Sequence, residues 1–308
     1  ATSPEIWDAV DEMVQTALET RILTVRPEKT FRVTHQAPEG LEWDRLQRFR
    51  QILLVGSLGD PWIIDVLDKR PTDNLNPPQI FQVEDVWAKG QLATVLLIND
   101  GSFDGLEELM TELHTLLDDQ YQDWVRSRMF MSGRNEALAD SLWREAQFTL
   151  LLPELYVKRA EGSTYIFRND NPDPSELIRE ITVTWRDSES EQLSQNDVLE
   201  WRQTVSDLYY NYPQVLDMTI AQTRQLQIGD MILDEIRTAW SNPPGDLFPA
   251  GGPAIIRSIN CPAQGRQYLV DAWLYAPARD KYQYLLQLET ILNSFRCGDQ
   301  IAPTPTID

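Results

Sequence analysis

Apolar positions repeat along this chain with two periods, one typical of strands and one typical of helices. Alternation at every second position, or a short apolar run, predicts strands at 51–58, 80–87, 92–99, 148–158, 164–169, 180–187, 218–226, 231–240, 254–259 and 267–275. Apolar stripes at three- and four-residue spacing predict amphipathic helices at 4–18, 104–124, 197–208 and 280–295. These elements predict an α+β fold, in which antiparallel sheets are covered by helices.

A similarity within the chain suggests that this fold has two related halves. An apolar strand that begins at Gly90 is followed by a helix, and the segment that begins at Gly265 has the same order. We therefore predict an N-terminal half over residues 1–147 and a C-terminal half over residues 148–308, which form two domains or pack as one unit. Chance is the alternative explanation, because any strand followed by a helix shares this pattern.

Charge and composition narrow the class of protein. The 308 residues include 48 acidic and 27 Lys or Arg residues, and the formal net charge is −21. Phosphate groups would be repelled, so we predict no nucleic-acid partner and no anionic membrane partner. A transmembrane helix needs about 20 consecutive apolar residues, and no such run occurs. The hydrophobic content of 42% supports a large core.

The sequence contains no complete motif for a metal or a cofactor. The two histidines, His35 and His114, stand in no zinc-ligand spacing, and no G-x-S-x-G motif supplies a nucleophile elbow. The segment from Asp100 resembles the start of a calcium loop, but Thr111 takes the place of the last glutamate ligand. A strand-to-helix turn explains the same residues. We therefore predict neither a metal nor a cofactor.

Two carboxylates in neighbouring predicted strands are the strongest candidates for chemistry. Glu235 and Asp271 lie in these strands, with Arg237 close to Glu235 in sequence. If both carboxylates faced one cleft, they could act as an acid/base pair or bind a ligand. The alternative is a structural salt bridge with Arg237 or Lys281.

Aromatic residues flank a Gly-Gly-Pro segment between two of these strands. We expect the core to take most of them, while any that face outward could form a docking surface for a peptide or glycan. The aromatic residues are Trp240, Phe248, Trp273, Tyr275, Tyr282 and Tyr284.

The C-terminal quarter resembles the DUF4837 family of Bacteroidetes and their relatives. The family pattern is approximately E-x-R-G-x-W, then M-G-G-P, then D-G-F-V-Y-A-P-x-x-x-K-x-x-Y-x-x-Q-L-E-x-I. The chain departs from it at Thr238, Ala250 and Ala272. The matching residues are Glu235, Arg237, Trp240, Gly251, Gly252, Pro253, Asp271, Tyr275, Ala276, Pro277, Lys281, Tyr284, Gln287, Leu288, Glu289 and Ile291. Those from Glu235 to Tyr275 are our candidate binding residues.

The family resemblance indicates where in the cell the protein is expected, rather than which activity it has. Family members resemble lipoproteins of the cell envelope, which implies a signal sequence and a lipid-bearing cysteine upstream of Ala1. The expected location is the periplasmic or the surface face of the outer membrane. In that compartment Cys261 and Cys297 are expected to form a disulfide, whereas in the cytosol they would be free thiols.

We therefore expect a non-catalytic, lipid-anchored binding or scaffold subunit that docks on another protein of the envelope or outer membrane. The alternative is a carboxylate-dependent hydrolase or carbohydrate-active enzyme that uses Glu235 and Asp271. Two carboxylates within about 5–10 Å in one cleft would favour the enzyme. Burial of Asp271 in a salt bridge would favour the binding protein.

Overall fold

A computed structural model describes residues 1–69, 75–188, 193–246 and 249–298. Its contacts divide the chain into two compact units, one of Ala1–Arg21 with Lys29–Trp124 and one of Ile22–Glu28 with Val125–Asp308. Helices and sheets with antiparallel pairs occur in both, which confirms the α+β class. The predicted halves, 1–147 and 148–308, describe a different division, and their common ancestry stays a prediction.

The first unit is built on a three-stranded sheet in the order β3-β5-β4. In this part of the chain the elements are α1 (Pro4–Leu18), β1 (Arg21–Ile22), β2 (Glu28–Lys29), α2 (Gly40–Leu46), β3 (Gln51–Gly56), α3 (Pro61–Leu67), β4 (Gln79–Glu84), β5 (Leu92–Leu97) and α4 (Leu106–Met129). Strand β4 is antiparallel to β5, but β3 is parallel to β5. The first unit thus adds one parallel pair to the antiparallel pairs that were predicted. Helix α3 begins at Pro61, directly after β3, and gives the chain the long connection that a parallel pair needs.

Helices cover both faces of this small sheet. Leu96 of β5 packs with Val10 and Val14 of α1 and with Leu113 of α4. On the opposite face, Val95 and Leu97 pack with side chains of α3. Because both faces are covered, β5 is apolar at almost every position rather than at every second one.

The second unit is built on an eight-stranded sheet. Its elements are α5 (Glu136–Ala146), β6 (Phe148–Thr149), β7 (Val157–Glu161), β8 (Thr164–Asn169), β9 (Ile178–Asp187), α6 (Gln195–Tyr209), β10 (Val215–Leu216), β11 (Gln222–Ile228), β12 (Met231–Ser241), β13 (Gly251–Cys261), β14 (Arg266–Tyr275), α7 (Tyr282–Asn293) and β15 (Arg296–Cys297). The strand order is β10-β12-β13-β14-β9-β8-β7, with β11 also paired to β12. Every pair in it is antiparallel.

Helices also cover the two faces of this larger sheet. Helices α5 and α7 pack on one face, where Leu288 and Ile291 meet Val270 and Ile181. Helix α6 packs on the other face, where Val198 and Val205 meet a smaller apolar cluster of the central strands. We call these the α7 face and the α6 face. Side chains of β12, β13 and β14 point alternately to the two faces.

Local sequence signals fix the ends of several elements in this unit. Ser194 caps α6 and forms a reciprocal capping box with Asp197. Gly162 and Gly229 adopt positive φ in the two-residue turns between β7 and β8 and between β11 and β12. Cys261 and Cys297 form a disulfide, which confirms the predicted pairing and joins the end of β13 to β15.

Candidate functional site

Glu235 lies on the α7 face, at the centre of a network of arginines. Its carboxylate accepts hydrogen bonds from Arg237 at 2.6 Å, Arg257 at 2.8 Å and Arg224 at 2.9 Å. Arg237 also donates to Glu289 of α7 at 2.6 Å. The network therefore joins β11, β12 and β13 to the helix that covers them.

The electrostatics of this network favour an ionised carboxylate. Burial alone would raise the pKa of Glu235, but the guanidinium groups of Arg237 and Arg257 outweigh it and lower that pKa. Burial lowers the pKa of Arg257, whereas Glu289 and Glu235 outweigh burial and raise the pKa of Arg237. Glu235 is thus held as a structural anion. The predicted salt bridge with Arg237 is present, while Lys281 pairs with Glu28 instead.

Asp271 lies on the α6 face, fully buried beneath helix α6. Its Oδ2 accepts hydrogen bonds from Arg202 Nε at 2.9 Å and from the Tyr210 hydroxyl at 2.5 Å. Arg202, itself fully buried, also donates to Gln214. Burial, and then the adjacent Asp271 carboxylate, raises the pKa of Tyr210 well above its ordinary value, so its hydroxyl remains a donor.

The surroundings of Asp271 contain polar atoms without partners. Within the described part of the chain, these buried atoms on the α6 face have no hydrogen-bond partner: Glu180 Oε1, Thr182 Oγ1, Arg202 Nη1, Ser206 Oγ, Gln214 Nε2, Asp271 Oδ1 and Trp273 Nε1. Burial raises the pKa of Glu180 to about 7, against the opposing effect of Arg168. Such groups are costly to bury, so this cluster stores unfavourable free energy.

Strand register separates the two candidate carboxylates. Glu235 stands opposite Arg257, and Arg257 stands opposite Val270, so Glu235 and Val270 share a face. Asp271 is the next residue after Val270 and points to the other face. The two carboxylates are separated by the sheet itself, and no cleft can present both to one substrate. The acid/base pair considered from the sequence is therefore wrong.

The Gly-Gly-Pro segment begins β13 and is a packing device. A Cβ at Gly252 would overlap the carbonyl oxygen of Leu274, and one at Gly251 would lie 2.8 Å from the Trp240 carbonyl oxygen. The close approach at Gly252 also lets Trp240 Nε1 donate to the Leu274 oxygen at 3.1 Å. Pro253 is buried in the same strand. These motif residues thus hold β12, β13 and β14 together.

Most of the flanking aromatic residues belong to the core. Trp240 and Trp273 are buried in edge-to-face contact, with ring centroids 5.1 Å apart. Tyr284 of α7 is buried, and Tyr275 and Tyr282 are half-buried. Phe248 lies outside the described residues. Trp240 and Trp273 therefore contribute no exposed surface to which a peptide or glycan could dock.

Sequence reasoning identified Arg237 but missed Arg202, Arg224 and Arg257, the other arginines that hold the two carboxylates. Arg202 stands on the apolar stripe of α6, four residues after Val198 and three before Val205. A charged residue at a core position of an amphipathic helix indicates a buried partner. Arg257 likewise stands within the apolar strand β13. No sequence spacing says which carboxylate each arginine meets.

The two edges of the sheet differ in what they present to solvent. A two-residue turn makes Ile228 and Met231 a hydrogen-bonded pair, so alternation along the ladder turns the N–H and C=O groups of Thr223, Gln225 and Gln227 outward. Among the described residues, no strand pairs with the outer side of β11. Its side chains are mainly glutamine and threonine, with Arg224 the charged one and no proline.

The other edge of the sheet is β7, a strand that carries Lys158, Arg159 and Glu161 within five residues. Charged edge strands resist pairing with a further strand. A groove of about 360 Å³ adjoins β11. Its apolar lining is Leu193, Val198 and Ile236, and its polar and charged lining is Gln195, Thr223, Arg224, Gln225, Asp234, Glu235 and Ser258. Ile232, paired to Gln227, is 61% exposed beside it. The β11 edge is therefore the one suited to receive an added strand.

Two further features bear on the class of site. In the part of the chain that the structure describes, no three His, Cys, Asp or Glu side chains are grouped to hold a metal ion. No described helix is both long and apolar enough to cross a bilayer.

The second unit is thus an α+β domain with helices on both faces of an antiparallel sheet. The family model for a domain of unknown function, DUF4837, matches residues 135–294, and the chain belongs to that family. No curated protein matches the sequence.

The solved structures that match this chain are distant from it. The solution structure of cyanobacterial PsbP (CyanoP) from Synechocystis is 12% identical, covers 49% of this chain and 86% of its own, and has a TM-score of 0.33. The Saccharomyces cerevisiae Ran-binding protein Mog1p is 11% identical, covers 49% of this chain and 90% of its own, and has a TM-score of 0.34. Neither likeness is close enough to carry a function over.

Proposed function

We propose that the protein is a non-catalytic binding subunit of the cell envelope, and that it docks on a partner protein through the β11 edge. The free edge itself is the observation that carries this proposal. Seven residues of β11 run in unbroken register with β12, and the outward backbone groups alternate with polar side chains. An extended segment of a partner would continue the sheet by main-chain hydrogen bonds.

The state of the motif residues supports a binding role over catalysis. Glu235 is held by Arg224, Arg237 and Arg257, and Asp271 is held by Arg202 and Tyr210. A hydrolase that used both carboxylates would need them on one side of its substrate. The two carboxylates face opposite sides of the sheet, so they cannot act together on one substrate. Each belongs instead to its own structural network of ion pairs.

The groove beside β11 supports side-chain specificity at the same edge. Val198 and Ile236 line it together with Gln225 and Ser258. An added strand places every second side chain on the α6 face, next to this groove. Val198 and Ile236 are only 3% and 4% exposed and most of the lining is polar, so this position favours a partner side chain that hydrogen-bonds with Gln225.

The envelope location is part of the same proposal. The Cys261–Cys297 disulfide fits an oxidising compartment, and the family resemblance implies a lipid-bearing cysteine that would precede Ala1. Growth with a labelled fatty acid, followed by fractionation of the envelope, tests this part separately. We expect labelled protein in the outer-membrane fraction, and unlabelled protein in the cytosol would contradict it.

Site-specific photo-crosslinking tests the docking edge. A photoreactive phenylalanine analogue would replace Gln225 on β11 or, as the matched control, Ala160 on β7. Both residues stand at outward-facing ladder positions on the two edges of the sheet. We expect irradiation of native envelopes to give one defined adduct from position 225 and none from position 160.

Two results would contradict the proposal. Equal adducts from both positions would indicate collisional labelling, and a defined adduct at position 160 alone would place the interface at the other edge. Mass spectrometry of the adduct would identify the partner segment. A segment without proline is the expected result, because each proline would remove a main-chain hydrogen bond to β11.

A further inference from the structure

Glu180 of β9 is a buried carboxylate on the α6 face that neither the family motif nor the β11 edge uses. The residue is 3% exposed. In the pairing of β9 with β14, Glu180 stands opposite Trp273 and Thr182 stands opposite Asp271. Glu180 and Asp271 are therefore diagonal neighbours on one face of adjacent strands. Two carboxylates thus lie close together in the interior of the second unit.

The two carboxylates differ in the hydrogen bonds that hold them. Asp271 accepts two hydrogen bonds, from donors on α6 and directly after it. Glu180 Oε1 has no partner among the described residues, and Oε2 lies 3.5 Å from Arg168 Nη1, at the limit of a hydrogen bond. Arg168 also donates to Asp170 at 3.3 Å, so its charge is shared. The ionised form of Glu180 is therefore poorly stabilised.

The charges around Glu180 do not offset its burial. Burial raises the pKa of Glu180 to about 7, Arg168 and Arg159 oppose this rise only in part, and Asp271 adds to it. A hydrated glutamate is already ionised at that pH. The titratable and charged groups of the surrounding elements are Arg159 of β7, Arg168 of β8, Asp170 after β8, Asp271 of β14, Arg202 of α6, and Tyr210 and Tyr212 after α6.

Helix α6 and the segment after it are joined to the strands of this cluster. Arg202 of α6 and the Tyr210 hydroxyl both donate to Asp271. The Arg168 guanidinium lies 5.7 Å from the centroid of the Tyr212 ring. Because Glu180 is buried among these groups, contacts between α6 and the sheet must open before water can hydrate its carboxylate.

We propose that protonation of Glu180 keeps helix α6 closed on the sheet, and that ionisation of Glu180 as the pH rises favours a local opening of α6. The reason is that the carboxylate is hydrated only in the open state. The opening equilibrium should rise between the ordinary pKa of a glutamate and the folded-state pKa of Glu180, and should be constant above it. The step transfers one proton from Glu180 to solvent, and no other covalent bond changes.

This opening regulates the β11 edge, and that part of the inference rests on the proposed function. Leu193, directly before α6, and Gln195 and Val198 of the helix line the groove beside β11. A helix that leaves the sheet takes this wall of the groove with it. Docking of the partner should therefore weaken as the pH rises through the same window.

Hydrogen exchange of the full-length protein, measured at about pH 5 and about pH 7 and corrected for the chemical exchange rate, tests the opening. In wild type, the amides of α6 should lose protection at least about tenfold at the higher pH. In Glu180→Gln, which cannot ionise at this position, their protection should be the same at both pH values. Glu200→Gln is the matched control, because Glu200 is an exposed glutamate on α6 itself, and it should behave as wild type.

Two results would overturn the proposal. An equal pH dependence in wild type and Glu180→Gln would show that another group controls α6. An equal loss of protection in α7 would show unfolding of the whole domain rather than a local opening. If Glu180→Gln fails to fold, carbon NMR of the glutamate carboxyl groups in wild type serves instead. One glutamate should titrate near pH 7, and none that titrates above about pH 6 would contradict the proposal.

Photo-crosslinking from position 225 at the same two pH values tests the regulation. We expect less adduct at about pH 7 in wild type and equal adduct at both values in Glu180→Gln. Equal adduct in wild type, with α6 opening as expected, would refute the regulatory role. No adduct at either pH would refute docking at the β11 edge, whereas the hydrogen exchange of α6 would still support the opening.

Discussion

Glu235 and Asp271 belong to the same family motif, yet the two faces of one sheet give them different environments. On the α7 face, Glu235 is bound by three arginines, of which Arg224 and Arg237 reach solvent with exposed side-chain fractions of 51% and 25%. On the α6 face, Asp271 and Arg202 are both fully buried, and polar atoms around them have no partner among the described residues.

The free-energy cost of breaking an ion pair depends on whether water can reach the charge that is left behind. A broken ion pair near the surface is rehydrated, so the loss of free energy is small. A charge left unpaired in the interior keeps its full desolvation cost. The α6 face should therefore respond to substitution much more strongly than the α7 face. Four substitutions test that order, from the largest expected effect to the smallest.

Asp271→Ala should be the most destabilising. It leaves the buried Arg202 cation without its counter-charge, and breaking a buried pair in this way costs about 3–5 kcal/mol. Urea unfolding at pH 7 measures the loss. The double variant Asp271→Ala/Arg202→Met removes both charges and should recover much of the stability. A double variant as unstable as the sum of the two single ones would contradict the account.

Glu180→Gln should stabilise the protein at alkaline pH. The pKa of Glu180 rises from 4.5 to about 7 on folding, so the folded state binds more protons between these values. Stability therefore falls as the pH rises through this window, by up to about 3 kcal/mol at pH 8. Glutamine cannot ionise, so the variant should be more stable than wild type at pH 8 and similar below pH 4.5. Unfolding at both pH values tests this, and a loss of stability at pH 8 would refute it.

Glu235→Gln should have an intermediate effect of about 2 kcal/mol. The buried Arg257 loses its counter-charge, but it keeps Asn293, Arg237 keeps Glu289, and glutamine retains an acceptor oxygen that alanine at 271 would lack. The pKa of Glu235 is lowered on folding, so its contribution is complete above the ordinary value of 4.5 and is lost as the pH falls through the folded-state pKa. The variant and wild type should converge in acid. Divergence that grows as the pH falls would contradict this sign.

Arg224→Ala should have the smallest effect. Half of the Arg224 side chain is exposed, and Glu235 retains Arg237 and Arg257. Solvent-exposed ion pairs contribute at most about 1 kcal/mol. Unfolding in low and high salt should give nearly the same small difference from wild type. A loss comparable with that of Asp271→Ala would remove the distinction between the two faces.

Much of the fold could be predicted from the sequence because its signals are local. The turn of the β7–β8 hairpin was predicted at Glu161-Gly162, and α7 follows from its apolar stripe. Of the strand predicted at 148–158, only 148–149 and 157–158 are strand. The parallel pairing of β3 with β5 could not be predicted, because it depends on which strands meet after the α3 connection. A period of two or of 3.6 residues describes one element and carries no information about its neighbours.

The environment of the candidate site residues was less predictable, because strand register decides which face of the sheet each side chain points to. The sequence indicated Glu235, Arg237 and Asp271, but a shift of one residue in strand register moves a side chain to the other face. Arg202 meets Asp271 across 69 positions in sequence. Gly251 and Gly252 were candidate binding residues, whereas Gly252 makes room for a backbone carbonyl of β14.

The most direct test of the account compares proline substitutions at the two sheet edges. Gln225→Pro removes an outward N–H group from β11, and Ala160→Pro removes the equivalent group from β7. Affinity for the crosslinked partner and the free energy of unfolding would be measured for both. The account predicts at least tenfold weaker binding for Gln225→Pro alone, with both variants folded. Equal partner affinity for the two folded variants would contradict docking at the β11 edge.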